Sequence, residues 1–292
     1  MHSHSDPNDL AWTGTIERAL ASATARLAGA FPLTARRDAE LLLMHVLGRD
    51  RVFVLTHPEA VLNVTESQAF ELALGRRLRN EPIQYITGEQ EFYGLTFAVT
   101  PDVLIPRPET EHLVEAALER IPLDMPSRIV DVGTGSGAVA VALAHLRPQA
   151  EITALDLSPA ALIVARENAE RQHVAGRIRF LESDLLAAVR GEAPFDVIVS
   201  NPPYVAEADR ATLEPQVREW EPELALFAGT EGLAIYRRLI PQARRLLRPG
   251  GWLLMEIGHG QEEALRDLLA DWREVQFVAD LQGIPRVAVA RS

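Results

Sequence analysis

The sequence predicts an α/β fold: a mostly parallel, doubly wound sheet with an antiparallel edge, preceded by a small all-α bundle and a β-hairpin linker. Three observations predict it. Before Pro82, apolar residues recur at helical spacing and few residues favour strands. From Arg128 onward, short apolar runs alternate with helical stretches, the signature of parallel strands joined by crossover helices. The last two apolar runs follow one another with no helix between them, which places an antiparallel pair at the edge.

In chain order, Ile16, Leu20, Ala23 and Leu27 form one helical stripe, and Ala39, Leu42, Leu43 and Val46 form a second, closed by Gly48. A third helix carries Phe70, Leu72 and Leu74 and ends near Arg79. A small bundle is the natural packing for such helices. Residues Ile83–Val99 are rich in Ile, Tyr, Phe and Thr with Gly88 and Gly94 as breaks, which reads as a hairpin or extended connector. Val103 to Glu111 contains Pro106 and Pro108, and each proline restricts its predecessor to extended backbone. Glu109 to Arg120 reads as a helix with acidic residues at its N-terminal end. The alternating part follows: strand Arg128–Val132, helix Ser136–Leu146, strand Glu151–Asp156, helix Pro159–Arg171, and strands Ile178–Leu181 and Phe195–Ser200. After a long loop come helix Glu231–Leu247, strand Trp252–Ile257, helix Gln261–Leu269, and strands Val275–Val278 and Arg286–Ala290. We divide the chain into a helical domain (1–82), a hairpin and prolyl linker (83–106) and an α/β domain (107–292).

Composition excludes several chemistries. The 292 residues include no Cys, and all 29 basic residues are Arg, since no Lys occurs. Disulfides, thiolate nucleophiles and Cys-ligated metals are therefore absent. So are Schiff-base chemistry and a P-loop lysine. Base composition of the genome is sufficient cause for Arg-only basicity. The formal charge of −12 argues against a general nucleic-acid coat, because phosphate contacts need clustered positive charge. The eight His residues show no metal-ligand spacing, so no metal is expected. The polar start has no basic-then-apolar leader, and no apolar run approaches membrane-spanning length. The expectation is a cytoplasmic protein without a membrane partner.

Gly133, Thr134, Gly135, Ser136 and Gly137 follow the first strand of the sheet and open a helix. Glycines let a ligand approach backbone N–H groups closely, although a tight strand-to-helix turn alone would look the same. Asp156 ends the second strand, where doubly wound folds set a carboxylate against the hydroxyls of a ribose. Ser158, just before Pro159, serves better than Asp156 as a helix cap. Asp184 ends the third strand and is suited either to an adenine amino group or to capping, with Leu185 placed to pack on a ring. A nucleoside-containing cofactor follows, either a dinucleotide or S-adenosylmethionine.

Asn201, Pro202, Pro203 and Tyr204 follow the strand that ends at Ser200. Ligands of open parallel sheets bind beyond the carboxyl ends of strands, so this loop faces the cofactor. It suits a planar –NH₂ group: the Asn201 side-chain oxygen and the Pro202 carbonyl accept its two N–H bonds, and Tyr204 stacks on its plane. An amide nitrogen held this way has its lone pair aimed at an electrophile, and fixed acceptors favour the positive charge that develops on it. Proximity to a reactive sulfonium methyl supplies the remainder.

These residues resemble class I S-adenosylmethionine-dependent methyltransferases of the amino-methylating type, which have a Rossmann-like sheet. Asn-Pro-Pro-Tyr is shared by adenine-N6 DNA methyltransferases and protein-glutamine N5 methyltransferases. Gln84-Tyr85-Ile86-Thr87-Gly88, Glu91-Phe92-Tyr93-Gly94 and Val103–Glu111 narrow the match. They resemble the bacterial peptide chain release factor glutamine methyltransferase family over nearly the whole chain. The resemblance implies a helical substrate-recognition domain, a hairpin linker and a methyltransferase domain. It implies S-adenosylmethionine as cofactor and class I release factors as protein partners, with the Gln of their Gly-Gly-Gln loop as substrate. It places Gly133–Gly137, Asp156 and Leu185 at the cofactor and Asn201–Tyr204 at the glutamine. The family often carries an aromatic where this chain has Leu185, which reduces that position to apolar packing. The sister family that methylates a ribosomal protein departs from Ile-Pro-Arg-Pro-Glu-Thr-Glu, present here. Arg107 and Glu109 in that string either order the active-site entrance or form a structural ion pair. Arg237, Arg238, Arg244, Arg245 and Arg248 form a solvated face or a contact for an acidic partner or ribosomal RNA. DNA adenine methylation and a non-catalytic cofactor-binding module are the other readings. The net acidity opposes the first, and the intact amide-binding loop opposes the second.

Overall fold

The structure, a computed structural model, describes residues 14–292. The polar start on which the reading of targeting rests lies outside the described residues. The chain divides into two compact units: the described residues through Gly88 together with Pro215–Trp220, and Glu89–Glu214 together with Glu221–Ser292.

The first unit is helical: α1 (Ile16–Leu27), α2 (Ala35–Leu47), α3 (Arg51–Thr56), α4 (Val64–Arg77) and α5 (Ile83–Thr87). Side chains from the sequence close the helix ends. Asp50 accepts from the Phe53 N–H, and Asn63 and Glu66 form a reciprocal capping box. Gly48, with φ of 59°, ends α2. The stripe Ile16, Leu20, Ala23, Leu27 is buried, as are Ala39, Leu42 and Leu43. Leu72 differs from expectation and is exposed. Phe70 and Leu74, four apart, share the buried face of α4, and Leu72 lies about 200° from each around the axis. Residues 83–87 are also not extended. Pro82 precedes a single helical turn that Gly88, with φ of 79°, closes. Ile83 and Ile86, three apart, both pack on the helical core, and that burial overrides the β-propensity of the segment.

Inside this unit, Arg77 Nε donates to Asp38 at 2.8 Å with both side chains buried, and the guanidinium lies 3.5 Å from the centre of the Phe31 ring. Arg77 also donates to the Glu81 carbonyl and to Gln216, and the Trp220 indole N–H donates to the Arg79 carbonyl. The last two bonds join Pro215–Trp220 to the unit.

The second unit opens with a hairpin of β1 (Glu89–Phe92) and β2 (Leu95–Ala98), joined by Tyr93 and Gly94 at φ of 52° and 73°. A 3₁₀ turn, Pro108–Thr110, leads into α6 (Glu111–Leu118). Next come β3 (Ser127–Val132), α7 (Ala138–Leu146), β4 (Ala150–Asp156), α8 (Pro159–Arg171), β5 (Ile178–Glu182) and β6 (Phe195–Ser200). Pro215–Trp220, which belongs to the first unit, is α9. Then follow α10 (Glu223–Leu226), α11 (Ala234–Leu246), β7 (Leu247–Glu256), α12 (Glu262–Leu268), β8 (Arg273–Ala279) and β9 (Pro285–Arg291). The seven strands lie in the order β5-β4-β3-β6-β7-β9-β8. The first five are mutually parallel, and β9 enters antiparallel between β7 and the edge strand β8. Alternation puts Ile129, Val197, Val199 and Leu254 in one apolar cluster with α6 and α7. It puts Val130, Val132, Ile198 and Leu253 in the other cluster, with α11 and α12.

One boundary differs. The strand expected from Trp252 begins at Leu247, directly at the end of α11. Leu247 pairs with Phe195 and Trp252 with Val197, so a bulge on β7 absorbs Pro249, Gly250 and Gly251.

Asp38→Ala leaves the Arg77 guanidinium buried without its carboxylate. Removing one partner of a buried pair costs about 3–5 kcal/mol, and chemical denaturation of the full chain is expected to show a loss of that size. A loss below about 1 kcal/mol would show that the carboxylate is not what compensates the buried cation.

Candidate active site

The site is set by the point where the winding of the sheet reverses. From β3 the chain proceeds to β4 on one side, whereas β6 pairs with β3 on the other. The C-terminal ends of β3 and β6 are in register at Val132 and Ser200, and the Ser200 hydroxyl donates to the Val132 carbonyl at 2.7 Å. Two loops leave these ends side by side: the glycine turn after β3 and Asn-Pro-Pro-Tyr after β6. Gly133–Ser136 of the first and Asn201–Pro203 of the second line one cavity.

On the β3 side the cavity is lined by Asp131, Gly133, Thr134, Gly135 and Ser136. Gly137 is not in the lining; a Cβ there would meet Ala165 at 3.1 Å, so it lets α7 approach α8. Asp156 joins the cavity from the end of β4. Its Oδ2 accepts from the Gly135 N–H and its Oδ1 from the Ser158 N–H, both at 2.8 Å. Ser158, not Asp156, caps α8. Burial raises the Asp156 pKa, and backbone N–H groups of Ser158, Gly135 and Leu157 oppose the rise. Asp184 and Leu185 also line the cavity. Asp184 caps no helix through its side chain; its carboxylate pairs with Arg238, which lines the same cavity. Leu185 holds φ of 52° and packs against the apolar cluster of α11.

On the β6 side, Asn201, Pro202 and Pro203 line the cavity, whereas Tyr204 does not. The Tyr204 ring packs on the apolar cluster of α11, and its hydroxyl donates to Glu256 at 3.2 Å. The backbone there is tightly held. Gln261 donates to the Tyr204 carbonyl at 3.0 Å, and a Cβ on Gly232 would lie 2.2 Å from that same oxygen. Gly232 also has φ of 72°, so glycine is demanded twice.

Arg107 and Glu109 separate. Arg107 lines the cavity and pairs with the buried carboxylate of Glu221, which also accepts from the Ile105 N–H at 3.3 Å. Burial raises the Glu221 pKa, and Arg107 opposes the rise. Glu109 is not in the lining. The prolyl loop instead contributes Thr110, whose hydroxyl donates to Glu256 Oε2 at 2.6 Å and accepts from Asn201 Nδ2 at 3.0 Å. Sequence reading singled out neither Thr110, Gly232 nor Glu256. Their separations from the Asn-Pro-Pro-Tyr loop are long, and only the carboxylate at a strand end was a signal. The basic cluster on α11 is largely neutralised: Arg237 pairs with Glu231, Arg238 with Asp184, Arg244 with Asp271, and Arg248, at the start of β7, with Asp196. Among the described residues, no group of His, Asp and Glu could hold a metal ion, and no helix is long and apolar enough to cross a membrane.

The lining fits S-adenosylmethionine. It offers glycine backbone that a ligand can approach closely, a carboxylate with lone pairs left for a diol, and an apolar wall that includes Leu157 and Leu185.

The family model for the PrmC N-terminal domain matches residues 18–88, and that for the methyltransferase small domain matches residues 110–216. The release factor glutamine methyltransferase of Koribacter versatilis is 47% identical over 277 residues, covering 95% of this chain and 98% of that protein. That of Escherichia coli is 45% identical, covering 88% and 92%. Among solved structures, the Thermus thermophilus 16S rRNA N2 G1207 methyltransferase in complex with AdoMet and guanosine aligns with a TM-score of 0.54. It is 22% identical and covers 70% of this chain and 49% of that one, a likeness of fold. On sequence identity of this extent over nearly its whole length, the chain belongs to the release factor glutamine methyltransferase family.

Proposed function

We infer that this chain transfers a methyl group from S-adenosylmethionine to the side-chain amide nitrogen of the glutamine in the Gly-Gly-Gln loop of class I peptide chain release factors. The observation that carries the reading is the Asn201–Pro202–Pro203 stretch lining one cavity with the glycine turn and Asp156. Curated relatives of the same name, at comparable length, support it over DNA or ribosomal-protein methylation and over a non-catalytic module.

When bound, S-adenosylmethionine supplies an electrophilic methyl on a sulfonium. The chain's own residues do the rest. Asp156 accepts from ribose hydroxyls with the lone pairs its two backbone bonds leave over, and Gly135 presents backbone to the ligand at close range. Leu185 packs against the base, and Asp184, beside it, accepts from the amino group. Asn201 Oδ1 and the Pro202 carbonyl accept the two hydrogens of the substrate amide. They orient its lone pair and stabilise the positive charge that grows on nitrogen as the sulfur–methyl bond breaks and the nitrogen–methyl bond forms, a charge discharged when one of the two amide protons is lost to solvent. Pro203 stiffens the loop. Tyr204 is assigned here to anchor the loop rather than to stack on the substrate, because its ring sits on the α11 cluster. Arg107, held by Glu221, guards the entrance. The helical domain supplies recognition area that a three-residue loop lacks.

Incubation with S-adenosylmethionine and a release factor is expected to add one methyl to the Gly-Gly-Gln peptide, read by mass spectrometry. DNA or ribosomal protein taken as the substrate instead would overturn the reading. Asn201→Ala is expected to lower kcat by about 10²–10³, the range for loss of one oriented polar group at a developing charge. Gly232→Ala, which pushes on the Tyr204 carbonyl, should lower turnover at least tenfold. Cofactor affinity by calorimetry should change less than about threefold, because Gly232 does not line the cavity. An equal fall in both would place the defect in the fold.

A further inference from the structure

Asn201 serves the proposed clamp only with its oxygen toward the cavity and its nitrogen away, and a side-chain amide has no intrinsic preference between the two. What breaks the symmetry is a chain of hydrogen bonds behind it. Asn201 Nδ2 donates to Thr110 Oγ at 3.0 Å, and Thr110 Oγ donates to Glu256 Oε2 at 2.6 Å. Tyr204 donates to Glu256 Oε1 at 3.2 Å, and the Tyr236 hydroxyl donates to the Glu256 backbone carbonyl at 2.8 Å. Thr110 has one hydroxyl proton. While Glu256 is a carboxylate it can only accept, so the Thr110 proton points to it and the threonine oxygen must accept from Asn201.

We propose that Glu256, acting through Thr110, is a positioning residue that fixes which end of the Asn201 amide faces the substrate. The inference rests on the glutamine-methylating reading of the site. It goes beyond it by making the orientation of the clamp depend on the charge of a carboxylate that does not line the cavity. A proton on Glu256 Oε2 reverses the chain. The carboxyl then donates to Thr110 Oγ, the threonine proton turns to Asn201, and the amide rotates to offer Oδ1 inward and Nδ2 to the cavity. An –NH₂ facing the substrate –NH₂ cannot hold it.

The groups that act electrically on Glu256 come from every side. Glu109 lies in the 3₁₀ turn, Arg286 on β9, Tyr204 on the loop and Tyr236 on α11. Burial dominates and lifts the Glu256 carboxyl to about 7, with the Thr110 and Tyr204 hydrogen bonds and Arg286 opposing and Glu109 reinforcing. The switch therefore falls near neutrality, with the productive orientation on the alkaline side.

The experiment uses the full chain with Thr110→Val, Thr110→Ser and Glu256→Gln. With both substrates saturating, kcat of the unsubstituted protein is expected to rise with pH through an apparent pKa near 7. The Glu256→Gln comparison separates this limb from any contribution of Asp131, a cavity carboxyl that burial also lifts to about 7. Thr110→Val is expected to lower kcat at pH 8 by about 10–100-fold with KM for the release factor changed less than threefold, and Thr110→Ser to restore it. Glu256→Gln is expected to abolish the acidic limb. Thr110→Val within twofold of the parent, or an unchanged acidic limb in Glu256→Gln, overturns the proposal. A readout independent of turnover is the side-chain ¹⁵NH₂ signal of Asn201, assigned by its loss in Asn201→Ala. It should titrate near pH 7 in the parent and not in Glu256→Gln. Titration that persists in Glu256→Gln overturns the proposal even if no methylation is seen, whereas its loss with no methylation of any release factor sinks only the assigned reaction.

Discussion

The adjacency of β3 and β6 is the constraint on which the site depends. Two parallel strands end in register at Val132 and Ser200, and the serine hydroxyl ties one end to the backbone of the other. Because the connections from these strands depart in opposite directions, their loops splay and leave a crevice between them. The glycine turn and the Asn-Pro-Pro stretch meet there although 63 residues, Ala138 to Ser200, separate the end of one from the start of the other. The other site residues are arranged around this seam. Asp156 arrives from β4, one strand away, and Glu256 ends β7, the next strand on the other side. Strand order alone therefore explains why one wall of the cavity holds cofactor-type groups and the other wall holds amide-type acceptors.

Charge is used locally in the same economy. The chain's only strong bases are arginines, and most near the cavity are already committed. Arg107 is committed to Glu221 and Arg238 to Asp184. A guanidinium holds a carboxylate in a fixed planar geometry, so these residues stiffen the rim rather than present free positive charge. The row of arginines on α11 looks basic in the sequence but is offset by Glu231, Asp184 and Asp271. Those carboxylates come from this chain itself, so the row is paired locally rather than being a run of unmatched charge.

Much of the fold was legible because its signals are local. Pro159–Arg171 and Phe195–Ser200 fall where periodicity and proline placement put them. So does the antiparallel edge pair of β8 and β9, read from two strands without an intervening helix, although the place of β9 between β7 and β8 was not part of that reading. The elements misread were those where tertiary burial outvotes composition. Ile83–Thr87 coils to bury two isoleucines, and β7 starts early because a bulge swallows Pro249-Gly250-Gly251. The glycine turn, Asp156 and Asn201–Pro203 were legible for the same local reason: each sits at a strand end. Tyr204 was legible as part of that loop, but nothing in the string Asn-Pro-Pro-Tyr says that its hydroxyl reaches Glu256. Thr110 and Glu256 were illegible as a pair, being 146 residues apart and meaningful only once β7 lies beside β6.

That pair is also where stability and function pull apart. Asp131 and Glu256 are both lifted by burial to about 7 from ordinary values of 3.8 and 4.5. A folded pKa above the unfolded one means that the native state binds more protons between the two values. Stability is therefore highest below the unfolded pKa and declines as pH rises through the folded one. For Glu256 the full decline is on the order of 3 kcal/mol, a sizeable fraction of what holds a domain together. An apolar residue of similar shape would avoid this cost, and Thr110 with Tyr204 offers only hydroxyls in return. An apolar residue, however, could neither accept from nor donate to Thr110, and a neutral amide could do either, so Asn201 would lose its direction. A carboxylate is the one side chain that only accepts, so the expense of burying it is what makes the chain of donors one-way. In the proposed clamp, telling an amide –NH₂ from an amide oxygen would follow from that single sign.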